Sequence, residues 1–169
     1  MLTEIQIKLP KYKTNWREIC AILPVYLPDG TNGTEISYLD GSVQTVNKRL
    51  CWVLDDLLFH LRSSTGILTR QSRTILGKNA RRVPLVLKTE FSLVPVKGRQ
   101  KIGEYDTTTG YIVLHHAEKI IHTDGRTQVQ FTGGTSVQVY DNPRTIAIGK
   151  IILPYLIIPF LSPRASAKA

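Results

Sequence analysis

A chain of 169 residues and 19.0 kDa has room for one ordinary domain or at most two small ones, which excludes large multidomain machinery. Hydrophobic side chains make up 42% of it and charged ones 21%, a balance that supports a buried core and argues against wholesale disorder. The 22 Lys and Arg against 13 Asp and Glu give a net charge of +9 and a pI near 9.7, which points to a polyanionic partner, nucleic acid before an anionic membrane surface.

The first third alternates in short bursts. EIQIKL from Glu4 to Leu9, CAILPVYL from Cys20 to Leu27, and EISYL after the turn-rich Asp29 to Thr34 read as strands. From Lys48 the period changes: Leu50, Val53, Leu54, Leu57, Leu58 and Leu61 recur at three- and four-residue spacing, one face of a helix with Asn47 as its N-cap. A second helix is expected from about Thr65 to Leu76, with Gly77 as a left-handed C-cap. On its wheel Ile67, Leu68, Ile75 and Leu76 share one half, and Arg70 and Arg73 the other.

Beyond Arg82 the pattern turns β-like. VPLVLK from Val83 and FSLVPV from Phe91 read as strands whose prolines, Pro84 and Pro95, suit strand starts or edges. After a polar loop from Lys97 to Thr109 come Tyr111 to Leu114, the pair Ile120 and Ile121, the turn Asp124-Gly125, TQVQF from Thr127, Gly133-Gly134, and SVQVY from Ser136. Asp-Gly and Gly-Gly between alternating segments predict an antiparallel meander of three strands. Asp141 or Asn142 before Pro143 starts a last helix, which packs Ile146, Ile148, Ile151 and Ile152 and ends at Pro154. The expected architecture is α+β: a single domain over residues 1–153 with a largely antiparallel sheet, a central pair of helices and a C-terminal helix. Residues 154–169 then form an apolar and finally polar tail, frayed at its end.

The positive charge is segregated along the chain. Residues 48–101 carry 12 basic and 3 acidic side chains, and from Arg62 to Lys101 ten basic residues face Glu90 alone. Solubility needs no such segregation, so the segment reads as a site. Arg62, Arg70, Arg73, Lys78, Arg81 and Arg82 are interleaved with Thr65, Ser72, Thr74 and Asn79, side chains suited to phosphate oxygens. The dominance of arginine suits a narrow minor groove or guanine edges, and the scarcity of aromatics among these residues argues against a single-strand stacking platform. Duplex DNA is the expected partner.

Other chemistry finds less support. Asp55, Asp56 and His60 could serve a metal-dependent nuclease, but an amphipathic helix needs such a polar face anyway. His115, His116 and His122 supply a zinc count, yet in an extended strand the first two point to opposite faces. No nucleophile elbow or phosphate loop occurs. No catalytic residue, metal, cofactor or small-molecule substrate is expected. Cys20 and Cys51 lack CxxC spacing and no secretory signal is legible, so two free thiols and a cytoplasmic setting are expected. The stretch from Ile151 to Leu161, interrupted by Pro154 and Pro159, is too short to span a membrane and reads as a docked tail.

From Val46 to Leu153 the order of features resembles the competence transcription factor family ComK. The resemblance is carried by a helix containing Cys51, by TGILTRQSRTILGKNARRVPLVLK, by FSLVPVKGRQ, by YIVLHHAEKI and by TQVQFTGGTSVQV. Gly110-Tyr111 replaces the family's Cys-Trp, Val94-Pro95-Val96 its Phe-Pro-Thr segment, and the apolar PYLIIPFLSPRASAKA its charged C-terminal extension. The resemblance implies a cytoplasmic activator of DNA-uptake genes. Such a protein works as a homo-oligomer on A/T-rich duplex DNA, mainly through the minor groove, with a contact to RNA polymerase. Matched positions carry over Arg70, Arg73, Lys78, Arg81 and Arg82 as DNA contacts, with Arg62, Lys88, Lys97, Arg99 and Lys101 as further candidates. The alternatives are a DNA-binding regulator similar to LytTR and a basic interaction protein for an acidic partner or membrane surface. The Phe-x-Arg-x-His-Arg-Ser stretch of the former is absent.

Overall fold

The structure, a computed structural model, describes residues 8–161. A one-turn helix α1 (Lys11–Thr14) and a 3-10 turn (Trp16–Glu18) lead into strands β1 (Ile19–Tyr26), β2 (Asn32–Tyr38) and β3 (Val43–Val46). Helices α2 (Leu50–His60) and α3 (Thr65–Leu76) follow, then β4 (Leu85–Lys88), β5 (Phe91–Lys97) and β6 (Thr109–Ile112). A second 3-10 turn (Leu114–His116) precedes β7 (Ala117–Thr123), β8 (Arg126–Phe131), β9 (Ser136–Val139) and α4 (Pro143–Leu161). Strands β3-β2-β1-β6-β5-β4 form one sheet and β7-β8-β9 another, every pairing antiparallel. The fold is a single-domain α+β architecture.

The apolar run of β1 lies in the middle of the larger sheet and is covered on both faces, as a near-continuous hydrophobic strand requires. Ile19 and Ile22 join Trp16, Ile36, Leu57, Leu58, Leu68, Leu85, Phe91 and Leu93 in a core beneath α1, α2 and α3. On the other face Ala21 and Leu23 join Val94, Val96, Ile112, Val129, Phe131, Val139, Ile146, Leu153 and Leu156, beneath the small sheet and α4. The register of β1 shifts between Ile19 and Ala21, which places both Cys20 and Ala21 in the second core. Trp16 meets Phe91 edge-on, ring centroids 5.1 Å apart.

Several expectations meet corrections. Helix α2 begins after Arg49, not Asn47, because the buried Thr34 hydroxyl donates to the Lys48 carbonyl at 2.8 Å and holds the chain extended two residues longer. Gly77 has positive φ but extended ψ (112°, 148°), so it turns the chain away rather than closing a left-handed cap. The buried stripe of α3 is Leu68 and Ser72, while Ile67 and Ile75 are exposed. Pro95 lies inside β5, on the stretch past the last β4 pair, where the strand is locally an edge. Helix α4 does not end at Pro154. It continues to Leu161 with both prolines on its solvent side, where water can satisfy the carbonyls they leave free, and Leu156 anchors the segment in the core. Ile148 and Ile151 are exposed rather than packed. The strand expected at Glu4 to Leu9 lies mostly outside the described residues, and Lys8 and Leu9 are irregular. The frayed end expected beyond residue 161 lies outside them too.

The meander matches expectation. Asp124 and Gly125 both take positive φ (53° and 74°), the hairpin geometry their sequence calls for. Gly110 answers a different need, close approach. A Cβ there would meet the Ile22 carbonyl oxygen at 2.9 Å and Leu23 Cδ2 at 2.7 Å. Gly110→Val is therefore expected to lower stability by about 1–3 kcal/mol. Gly66→Ala, in open space on α3, should raise it by about 0.5–1 kcal/mol. Urea unfolding midpoints check both, and equal midpoints would contradict the packing described.

Candidate nucleic-acid interface

Antiparallel register sorts the cations by position. The C-terminal ends of β1, β3 and β5 and the N-terminal ends of β2, β4 and β6 share one border of the larger sheet. Lys48 and Arg49 follow β3 there, Lys78, Arg81 and Arg82 precede β4, Lys97 closes β5, and Arg99 and Lys101 follow it. Helix α2 starts at this border and carries the chain about 16 Å away, so Arg62 stands at the opposite end. Lys88 pairs with Phe91 at the far end of β5, about 20 Å from Lys97 at the strand's rise per residue. The border thus gathers six of the ten expected contacts and separates Arg62 and Lys88 from them.

Helix α3 presents the next two. Its first turn is capped by Ser64 Oγ, which accepts from the Ile67 N–H at 3.2 Å. The helix docks through Leu68 and through Ser72, whose hydroxyl donates to the Pro84 carbonyl at 2.5 Å. Arg70, two residues from both, is turned about 160° away from each and faces solvent. Arg73 is also exposed, and its Nε donates to the Ala80 carbonyl at 3.2 Å, tying helix to loop. Arg70, Arg73, Lys78 and Arg81 are exposed and form no ion pair among the described residues. No carboxylate occurs between Asp56 and Glu90.

Two expected contacts are used inside the fold. Arg82, at φ 52°, grips Asp141 with both terminal nitrogens, at 3.1 and 2.8 Å. The same carboxylate, on a residue only 8% exposed, accepts the Lys97 backbone N–H at 2.6 Å. Arg99 is 7% exposed. Its Nε donates to the Thr107 carbonyl at 2.7 Å, Nη2 to Asn32 Oδ1 at 2.6 Å, and its plane stacks 4.0 Å from the Tyr26 ring. Of the separated pair, Lys88 hangs 5.6 Å over the Trp16 ring. Arg62 takes φ 60° just past α2, where the Ser63 and Arg62 N–H groups close on the Leu58 and Phe59 carbonyls. Sequence reasoning missed Lys48 and Arg49, although the dipeptide directly before a helical period was visible. It also missed the exposed aromatic pair Trp52 and Phe59 on α2.

The alternative chemistry does not assemble. Asp56 holds Lys13 at 2.8 Å and takes the Tyr12 hydroxyl. Burial opposes its ionisation, but these two partners outweigh it and keep the carboxyl below its ordinary range. Asp55 accepts from Thr65 at 3.3 Å. His115 and His116 lie on a 3-10 turn, not an extended strand, and the three histidines have different neighbours: Ser92, the Arg17 carbonyl and Thr127. Among the described residues no group of His, Cys, Asp or Glu is placed to hold a metal ion, and no helix is long and apolar enough to cross a membrane. Cys20 is buried and Cys51 exposed, both as free thiols.

No family model, curated protein or solved structure matches the chain.

Removing Asp141 strands the Arg82 guanidinium and a backbone donor together. Asp141→Ala should cost about 2–3 kcal/mol, a buried-pair loss discounted for the 42% exposure of the Arg82 side chain. Arg82→Ala should cost about 1 kcal/mol, because Lys97 still serves the carboxylate. A denaturant-unfolding double-mutant cycle checks this, and two equal losses would contradict it.

Proposed function

We propose that this protein binds duplex DNA as a transcriptional regulator, with the exposed face of α3 and the basic border of the larger sheet against the phosphate backbone. The observation that carries the reading is the set Arg70, Arg73, Lys78 and Arg81, exposed, without ion pairs among the described residues, and on a run of chain without a carboxylate. Cations left unpaired at that density are free to displace counterions from a polyanion, the main source of affinity in such complexes. Guanidinium groups favour the narrow minor groove of A/T-rich tracts, which agrees with what the resemblance to ComK implies. That resemblance supplies the biological role proposed, activation of DNA-uptake genes by an oligomer. The outer side of α4 supports the oligomer: Ile148, Ile151, Tyr155 and Ile158 stand exposed at three- and four-residue spacing, the period of a helix-helix seam.

Fluorescence anisotropy against an A/T-tract duplex and a G/C-rich duplex of equal length, at several salt concentrations, tests this. The wild-type chain should prefer the A/T tract. Replacing Arg70, Arg73 and Arg81 together by Ala should weaken binding and reduce the slope of log affinity on log salt by about 0.9 for each phosphate no longer neutralised. Arg62→Ala and Lys88→Ala, at the other border, should leave both within about twofold of wild type, because salt-screened charges some 20 Å away contribute little. A triple variant with unaltered affinity and slope would overturn the reading.

A further inference from the structure

Strand alternation divides the small sheet. Thr127, Val129 and Phe131 of β8 and Val137 and Val139 of β9 are buried, which leaves Arg126, Gln128, Gln130, Ser136 and Gln138 on the outer face, exposed or half-exposed. Register sets them in rows: Gln128 lies directly opposite Gln138, and Gln130 opposite Ser136. The Gln128 amide donates to Ser136 Oγ at 3.0 Å, so one row braces the other. On the β7 side Gln128 faces Ile121, which is half-buried. Arg126, Gln128, Ser136 and Gln138 line a depression of about 640 Å³, whose remaining polar lining is Thr123, at the end of β7, and Asp124, on the turn after it. The hairpin itself carries no carboxylate from Arg126 to Val139.

This face begins at the basic border. The Thr127 hydroxyl donates to the Asp141 carbonyl at 2.6 Å and the Tyr140 N–H to the Lys97 carbonyl at 2.8 Å. The end of the small sheet that carries Arg126 therefore abuts Lys97 and the Arg82–Asp141 pair, and a duplex held there by its phosphates comes within reach of the amides. The spacing also fits. Successive outward residues of a strand stand about 6.8 Å apart, the height of two base-pair steps of about 3.4 Å each. In the major groove a glutamine amide can donate and accept at once on adenine, at N7 and N6, while an apolar side chain packs on the thymine methyl. The row Ile121, Gln128, Gln138 supplies both kinds of contact, and none of these outer side chains is an aromatic anchor of the sort on which protein interfaces depend.

We infer that the outer face of the β8–β9 hairpin, with Ile121 beside it, reads A·T pairs from the major groove, Gln128 and Gln138 contacting adenine. The inference rests on the DNA-binding reading and deepens it. The basic border holds phosphates and the minor groove, and the amide face adds a contact to base edges, which is where sequence is read directly.

Inosine·cytosine pairs separate the two grooves, because they keep the minor-groove pattern of A·T and present that of G·C in the major groove. In fluorescence anisotropy with the full chain, the wild type should bind an A/T-tract duplex about tenfold more tightly than the same duplex built with inosine·cytosine pairs. That comparison needs no variant. Gln128→Ala combined with Gln138→Ala, at two exposed positions, should bring the two affinities within about twofold of each other. The slope of log affinity on log salt should stay at the wild-type value, since no phosphate contact is lost. Equal wild-type affinity for the two duplexes, or a double variant that keeps the wild-type ratio, would overturn the inference and leave the DNA-binding reading standing. A wild-type chain that binds neither duplex at low salt would overturn both.

Discussion

The Asp141 carboxylate is the point on which the two sheets and the basic border depend. It lies between β9 and α4, takes both terminal nitrogens of Arg82 and the backbone N–H of Lys97, and its own carbonyl accepts the Thr127 hydroxyl at 2.6 Å. The side chain therefore ties the loop entering β4 to the end of β5, and the backbone carbonyl of the same residue ties the small sheet to the start of α4. A buried carboxylate carries a large desolvation penalty unless it is fully paired, and this one is paired by a guanidinium and a peptide. The arrangement also neutralises one arginine of the basic border and leaves Arg81 beside it free.

With that node in place, topology distributes the remaining charge. An antiparallel sheet brings alternate strand ends to each border, so residues 48–49, 78–82 and 97–101, distant in sequence, share one border, while Arg62 and Lys88 go to the other. Helix α3 docks through Leu68, the Ser72 hydroxyl and, at its end, Leu76, and so leaves Arg70 and Arg73 exposed, with Ile67 and Ile75 exposed as well.

Much of this was legible in the residues. The bounds of α3, Thr65–Leu76, follow from its helical spacing and from Gly77, which ends the helix although not as a left-handed cap, and the three-strand meander follows from Asp124-Gly125 and Gly133-Gly134, because helical period and glycine turns are local chemistry. The α1 turn and β3 were missed. Each is four residues long, too short for a period to show; β3 pairs back on β2 across the Asp40-Gly41 turn, a local signal that was passed over, whereas α1 forms against Ser42 and Asp56, distant in sequence. The passage of α4 through Pro154 was hidden for a similar reason: the burial of Leu153 and Leu156 overrides a local helix-breaking signal. The site divides in the same way. Acid-free charge is a property of the string, and it marked Arg70, Arg73 and Arg81. The burial of Arg99 depends on Tyr26 and Asn32, more than 60 residues upstream, and nothing near residue 99 announces it.

The central claim is that the fold turns one basic stretch of sequence into a one-sided surface. Differential lysine acetylation read by mass spectrometry, with and without a 20-base-pair A/T-tract duplex, tests it most directly. The account predicts that Lys48, Lys78 and Lys101 lose reactivity on binding while Lys88 keeps its own. Equal protection of both borders, or protection of Lys88 in place of Lys78, would contradict it.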